Sequence, residues 1–469
     1  MREFSAADEN RPLTMDLCRE WLVSKIFRFR PEDYTEKFPK WPGMVGLEVE
    51  MLPFSFASQK IVPLYGKGSS SEILLSEKGA SWDFEYIDDA PQKGLLRVKL
   101  GEGDQITFEP GGQIEFSSKP YPCLSDALLR TQLIQEKLTA LFKQHGVSLS
   151  QSGINPWQTV DDIGLQMTKS RYRAMNDFFL KIGPYGPRMM RQTCTVQVNL
   201  DFGSDETTLA KRYLCANLLS PVATALFANS PFYDGKSSEY SSYRARVWQG
   251  LDDSRTGFPD LSLVASKLTL NSCVSVYLDF LLSARLVFIE KASYKVQDSK
   301  VRFKDWLNGP IDGVSPTLKD FDTHLSLHFP EVRPRGFLEL RSVDCTPSYW
   351  QEIPAIFYTA LLYDEKCLDA SLDILLPKLG GLKDLLVQSA YGLRNDELYE
   401  MTGKLVDLVV EGFSRLPPCF QGEGSLKKLM RYMELYPKRR KTPADDLRPL
   451  LAGGGGIEIF SELENRWRV

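Results

Sequence analysis

The sequence predicts an α+β fold: one large domain in which an antiparallel sheet, assembled from strands scattered along the chain, is backed by helices. Three observations predict it. Four well-separated stretches alternate apolar and polar residues with the period of two that marks a half-buried strand: 44–51 MVGLEVEM, 106–116 ITFEPGGQIEF, 193–202 TCTVQVNLDF and 335–343 RGFLELRSV. Longer stretches between and after them carry helical spacing. The chain has 469 residues, 43% of them hydrophobic, enough for a large core, and shows neither an internal repeat nor a long linker. It is therefore expected to form a single domain over 1–469, with 1–43 as a helical lead-in, 44–370 as the core and 371–469 as a helical region.

In chain order, Leu13–Phe29 has helical spacing with Thr14 as N-cap, and Pro31 ends it before a polar connector to Pro42. In 44–51, Leu47, Val49 and Met51 face one way, Glu48 and Glu50 the other. Short strands are expected at Ser81–Ile87 and Leu95–Leu100. They lead into a hairpin over Ile106–Pro120, where Pro110-Gly111-Gly112 supplies the turn. A three-residue loop pairs Glu109 with Gln113 and Thr107 with Glu115, leaving Ile106, Phe108, Ile114 and Phe116 together on the other face. A two-residue turn would mix the faces.

Ser125–His145 is the clearest helix, capped by Ser125 and ended by Gly146, with Leu128, Leu133, Ile134, Leu138, Leu141 and Phe142 as its apolar stripe. A short helix is expected at Ser170–Leu180, and a helix over Glu206–Asn229 that Pro221 kinks or breaks. Tyr240–Phe258 reads as loop-rich, and Ser266–Ile289 as apolar and mostly helical. Beyond Tyr349 the chain is largely helical, with a Gly453–Gly456 run before the tail. His324 and His328 fall in a loop-like stretch.

Composition excludes several classes. The formal net charge is −4 with the two signs well mixed, so neither a nucleic-acid nor a membrane-surface partner is indicated. No apolar run reaches the roughly 18–20 residues a membrane helix needs. Eight single cysteines without a CxxC, and three histidines, assemble no zinc pattern. The thiols are expected reduced, and the polar N-terminus without an apolar h-region places the protein in the cytoplasm. Small-molecule substrates and a monomer or homodimer are expected.

The polar faces of the strands collect Glu48, Glu50, Thr107, Glu109, Gln113, Glu115, Gln197, Asn199, Asp201, Glu339 and Arg341. A polar strand face is ordinarily just solvated. This set departs from that, because glutamate and amide dominate where β-propensity disfavours them, and lysine is absent from all four strands. Glu48 and Glu50 share one face roughly 7 Å apart. Hard cations suit such a face: magnesium takes carboxylate oxygens and keeps waters and phosphates as its other ligands. A ring of carboxylates around two or three magnesium ions, with Arg341 beside it, would bind nucleotide phosphates. There is no GxxxxGK[ST], so this is no P-loop enzyme.

The same segments resemble the glutamate–cysteine ligase family of the plant and proteobacterial type. FEPGGQIEFSSKP at 108–120, RQTCTVQVNLDF at 191–202, PVATALFANSPF at 221–232, WQGLDDSRTG at 248–257 and GFLELRSVD at 336–344 are similar to that family's motifs, in order, from roughly 44 to 370. At 46–50 the chain reads GLEVE where the family often has a histidine between the two glutamates. That position points to the apolar face. The resemblance implies a glutamine synthetase-like curved antiparallel sheet with a polar concave face. It also implies an ATP-dependent ligation of the glutamate γ-carboxylate to cysteine through a γ-glutamyl phosphate, the first step of glutathione synthesis. The alternatives it leaves are service in ergothioneine synthesis, another amine acceptor, or a non-catalytic relative that binds nucleotide or glutamate.

By the same resemblance Glu48, Glu50, Glu109, Glu115, Gln197 and Glu339 would hold Mg2+, and Asn199 would lie near nucleotide or metal. Arg244 and Arg341 would stabilise the transferring phosphoryl group, with ATP as co-substrate. Arg171, Tyr172, Thr193 and Trp248 would contact substrates. The bland readings kept beside these are a structural Asp201, a salt-bridged Arg255, a buried apolar Cys194 and a solvated basic loop at Lys438–Lys441.

Overall fold

The computed structural model describes residues 4–29, 41–77, 82–86, 94–101 and 103–468. Nine strands among them make one antiparallel sheet: β1 (Val45–Ser55), β2 (Asp83–Tyr86), β3 (Leu95–Lys99), β4 (Gln105–Phe108), β5 (Ile114–Ser117), β6 (Val147–Ser150), β7 (Val196–Leu200), β8 (Val332–Pro334) and β9 (Leu338–Leu340). The order is β8-β9-β7-β1-β5-β4-β3-β2, and β6 pairs with the second half of β1. The central strand is therefore the one that carries Glu48 and Glu50. All four alternating stretches of the sequence join this one sheet, and the α+β expectation holds.

Register turns the alternation into two faces. Residues directly opposite in neighbouring strands point the same way. Arg333 faces Glu339, which faces Asn199. Gln197 faces Glu48, which faces Ser117. Glu50 faces Glu115, which faces Thr107. On the other side Leu47, Val49, Met51, Ile106, Ile114, Phe116, Val196, Val198, Leu338 and Leu340 are each no more than 2% exposed. The Leu124–Gln144 helix packs behind β1 and β6, the Glu352–Tyr363 helix behind β7, and the Glu206–Leu226 helix beside β8. The apolar face is thus the floor of the core, and the polar face is left for chemistry.

Several local expectations are corrected. The first helix is shorter than its spacing implied: Thr14 caps it by accepting from Leu17 N at 3.2 Å, and after Trp21 it widens into a π turn ending at Ile26. Pro31, the connector to Pro42 and the ends of the Ser81–Ile87 strand lie outside the described residues. Ser125 does not cap the Leu124–Gln144 helix. Its hydroxyl donates to Cys419 O, and Leu133, assigned to the apolar stripe, is 51% exposed. Pro221 neither breaks nor ends its helix, which runs from Glu206 to Leu226. Every residue from Leu214 to Leu226 is buried, so packing on all sides offsets the hydrogen bond that proline removes.

Tyr240–Phe258 contains a helix, Tyr243–Gln249, whose start is fixed by Ser242 accepting from Ala245 N at 3.0 Å. His324 lies within the Leu318–Leu325 helix. It and His328 are 2% and 0% exposed, and burial depresses both imidazole pKa values. Two strands were hidden in the sequence, β6 and, nearer the polar cluster, β8. Pro330 and Pro334 bracket it, and proline is tolerated there because β8 is the edge of the sheet. Among the described residues all eight cysteines are free thiols, and Cys194 is fully buried as expected.

Candidate active site

The β4–β5 hairpin positions the site. Its turn is the three-residue loop that facing required: Glu109 N donates to Gln113 O at 2.9 Å, and Thr107 pairs with Glu115. Gly112 has φ +89, a conformation that favours glycine. Gly111 is needed for a different reason: a Cβ there would lie 2.1 Å from Arg191 O. The turn is held from two sides. Gln166 N donates to Pro110 O at 2.8 Å and Gln166 Nε2 to Gly111 O at 2.9 Å, while Gln113 Nε2 donates to Thr193 O at 2.8 Å. Glu109, just before the turn, is thereby fixed beside the start of β5.

Glu50, Glu109 and Glu115 each offer a carboxylate oxygen within 4.8 Å of the other two. Glu50 Oε2 accepts from Thr195 N at 2.9 Å, and Glu115 Oε1 accepts from the hydroxyls of Thr107 (2.8 Å) and Ser117 (3.0 Å). Among the described residues no lysine or arginine forms an ion pair with any of the three. Burial first, and repulsion from neighbouring carboxylates after it, raise their pKa values against the lowering fields of Arg341 on Glu109 and Arg244 on Glu50. Glu109 and Glu115 are pushed up to about 7, Glu50 rises well above its ordinary value, and Glu48 beside them rises to about 8. Glu48 Oε1 accepts from Asn199 Nδ2 at 2.9 Å, and Asn199 Oδ1 is buried with no hydrogen-bond partner among the described residues. Three clustered carboxylates with no cation of their own, beside an unspent carbonyl oxygen, fit a hard divalent ion.

One strand further, the charge inverts. Glu339 is fully buried and faces three guanidinium groups: Arg333 grips it through Nε and through Nη2 (2.9 Å), Arg341 at 3.1 Å and Arg335 at 3.2 Å. Burial opposes its ionisation, but the arginines outweigh burial and hold its carboxyl well below the usual range. Arg341 Nη1 also donates to Gln197 Oε1 at 3.1 Å, and Arg244 Nη2 donates to Arg341 O at 2.9 Å. The Trp248 ring lies 5.4 Å from the Arg341 guanidinium and 5.8 Å from that of Arg244. The sheet thus sets an acidic cluster next to an arginine cluster.

The expected site residues fall into groups. Glu50, Glu109 and Glu115 are within common reach of one ion. Glu48, Gln197 and Glu339 share the face, but in this structure they are held by Asn199, Arg341 and the three arginines. Tyr172 is close enough that burial, then Glu109, pushes its hydroxyl up to about 12. Arg171 reaches Ser326 Oγ at 2.8 Å. Thr193 turns its hydroxyl back to Met189 O at 2.7 Å, so its contribution to the site is the backbone carbonyl that Gln113 uses. Arg255 pairs with Asp252 at 2.7 Å at zero exposure, and Asp201 Oδ2 accepts from Met44 N at 2.7 Å, so both serve the frame. Sequence reasoning missed Arg333 and Arg335. The signal was the alternation Glu331–Arg333–Arg335, which the two prolines obscured.

Comparison with known proteins now decides the family. The sequence model of glutamate–cysteine ligase family 2 matches residues 44–406. The chain belongs to that family. The chloroplastic glutamate–cysteine ligase of Solanum lycopersicum is 32% identical over 438 residues, 90% of this chain and 79% of the relative; that of Nicotiana tabacum is 31% identical over the same length and shares. The match to these ligases therefore runs well past residue 370, where the motifs quoted from the sequence end.

Among solved structures, the glutamate–cysteine ligase of Francisella tularensis in complex with AMP superposes with a TM-score of 0.55 at 14% identity, covering 91% of this chain and 88% of that one. It supports the glutamate–cysteine ligase fold. The cytoplasmic expectation is overturned, because these plant relatives are chloroplastic. The missing secretory h-region on which it rested says nothing about import into a plastid. Among the described residues no helix is long and apolar enough to cross a membrane.

Proposed function

We propose that this chain joins the γ-carboxylate of L-glutamate to the amine of L-cysteine at the expense of ATP, giving γ-glutamylcysteine, ADP and phosphate; its relatives are named as ligases of glutamate and cysteine. The observation that carries the reading is the cluster of Glu50, Glu109 and Glu115 beside the arginine group of β8 and β9. The chain acts as one catalytic domain. The alternatives with another acceptor, or without catalysis, are not favoured, because the matching family and relatives are named for glutamate and cysteine.

In the first half-reaction a glutamate γ-carboxylate oxygen attacks the terminal phosphorus of ATP and ADP leaves. In the second the cysteine amine attacks the acyl carbon and phosphate leaves. Glu50, Glu109 and Glu115 would hold one magnesium ion, and Glu48, Gln197 and Glu339 a second, with Asn199 Oδ1 turned to metal or nucleotide. Bound magnesium would supply neutralisation of the charge on the phosphates. Buried Arg244 and half-buried Arg341, both against the Trp248 ring, would stabilise the charge that gathers on the transferring phosphoryl group. When a phosphate arrives, Arg341 can exchange Glu339 for it, since Arg333 and Arg335 still hold that carboxylate. Arg171 and Tyr172 would orient the glutamate substrate, and Thr193 would set the pocket wall through its carbonyl.

The test is ADP release by the full-length protein in the presence of magnesium, glutamate and cysteine, with the product weighed by mass spectrometry. The reading requires all three for release. Release that ignores cysteine, or a larger kcat/KM for a different amine acceptor, would refute it.

A further inference from the structure

Behind the carboxylates, on the opposite face of the same strands, is a cavity of about 470 Å³. Its floor is Leu47, Val49 and Val196, which alternate along β1 and β7 with Glu48, Glu50 and Gln197. One wall is the Leu124–Gln144 helix and another is the Glu458–Arg468 helix; Ser348–Glu352 and Lys428 close one end. The volume lies in the range that encloses a small-molecule ligand. The wall helix at the C-terminal end is joined to the molecule through the Gly453–Gly456 run. Gly454 has φ +81, and a Cβ at Gly455 would lie 2.4 Å from the Ile459 side chain, so the run is a close-packed joint that other residues would not fit.

The lining specifies a chemistry. Two ion pairs stand together: Lys428 with Glu352 at 2.6 Å and Arg468 with Glu464 at 4.0 Å. Both cations lie against the Tyr349 ring, at 4.9 and 5.7 Å. Partly exposed pairs of this kind contribute little net stability and exchange partners at small cost. A ligand with one charge would strand one member of a pair, whereas a ligand bearing both a carboxylate and an ammonium gives each displaced residue a new partner. The remaining polar wall is mostly uncharged, with Thr131, Gln135, Gln151 and Gln351, and carries one further carboxylate, Glu136, which accepts from Gln132 Nε2 at 2.8 Å. Gln135 is 6% exposed, and its Nε2 has no hydrogen-bond partner among the described residues, an unmet donor in a wall built of amides.

We propose that this cavity is a second small-molecule site, separate from the carboxylate face, that takes a zwitterionic amino acid or short peptide. The test is ligand-observed saturation-transfer NMR on the full-length protein with the dipeptides alanylglutamine and glycylglycine, and with acetate and ethylammonium as the same end groups unlinked. Thr131→Trp fills the cavity. Lys428→Met removes one cation at a partly exposed position, and its fold is checked by its melting curve. Dipeptide signals are expected with the native protein, with none from the single-charge probes. Alanylglutamine affinity should fall at least about tenfold in Lys428→Met, the loss of one charge-assisted pair, and vanish in Thr131→Trp. If Thr131→Trp does not fold, Lys428→Met decides. The proposal is overturned if neither dipeptide binds, if acetate or ethylammonium binds as well, or if Lys428→Met binds unchanged. Because the readout needs no turnover, it stands or falls apart from the ligase reaction.

Discussion

Glu115 sits where chemistry and folding separate. Its carboxylate accepts from Thr107 and Ser117, and a carboxamide of the same shape can keep both bonds through its oxygen. Glu115→Gln should therefore leave the melting curve near that of the native protein while turnover falls at least about 100-fold, the scale for losing one charge-stabilising group in an active site. Unchanged turnover would remove Glu115 from the metal shell. Arg333 is the opposite case. It grips Glu339, which has no exposure, so Arg333→Met leaves a buried carboxylate short of its main partner. Breaking a buried pair this way costs about 3–5 kcal/mol, read as a lower midpoint in urea denaturation; a loss under about 1 kcal/mol would contradict the pairing. The facing of Glu48, Glu50, Glu109 and Glu115 was legible because a period of two leaves only two faces. That arginines grip Glu339 was not, because Arg333, its main partner, comes from a strand whose prolines disguised it.

The hairpin is the element that carries the site, and its turn was legible to the residue. Only a three-residue loop keeps Phe108 and Ile114 on the core side and Glu109 and Glu115 on the other. What the sequence could not disclose is why both glycines stand there. Gly112 supplies φ +89, but Gly111 supplies space, since a Cβ would meet the Arg191 carbonyl, a backbone atom that cannot swing away. Gly111→Ala should cost about 1–3 kcal/mol as an overpacked contact and reduce kcat through displacement of Glu109; native stability and kcat would refute the clamp. The helices failed where tertiary contacts override local preference. Pro221 continues a helix because burial surrounds it, and Tyr243–Gln249 forms on the strength of one Ser242 cap in a stretch that looks like loop.

At the scale of the whole molecule, the acidic cluster is a store of unfavourable charge that magnesium should relieve. Glu48 at about 8 and Glu109 and Glu115 at about 7 retain protons that an unfolded chain loses near 4.5. Their contribution to stability is present below pH 4.5 and is lost as pH rises through 7 to 8. Glu339 shifts the other way and acts only below pH 4.5, outside this window. The metal-free protein should therefore melt at lower temperature at pH 8 than at pH 5.5, with magnesium raising the midpoint more at pH 8. An equal magnesium effect at both values would contradict the cluster's role.

The most direct measurement is anomalous diffraction from crystals of the protein with Mn2+ and a non-hydrolysable ATP analogue. A manganese peak bounded by Glu50, Glu109 and Glu115, with the analogue's phosphates between it and Arg341, is the predicted result. A manganese ion bound elsewhere, with those three carboxylates in contact only with water, would contradict it.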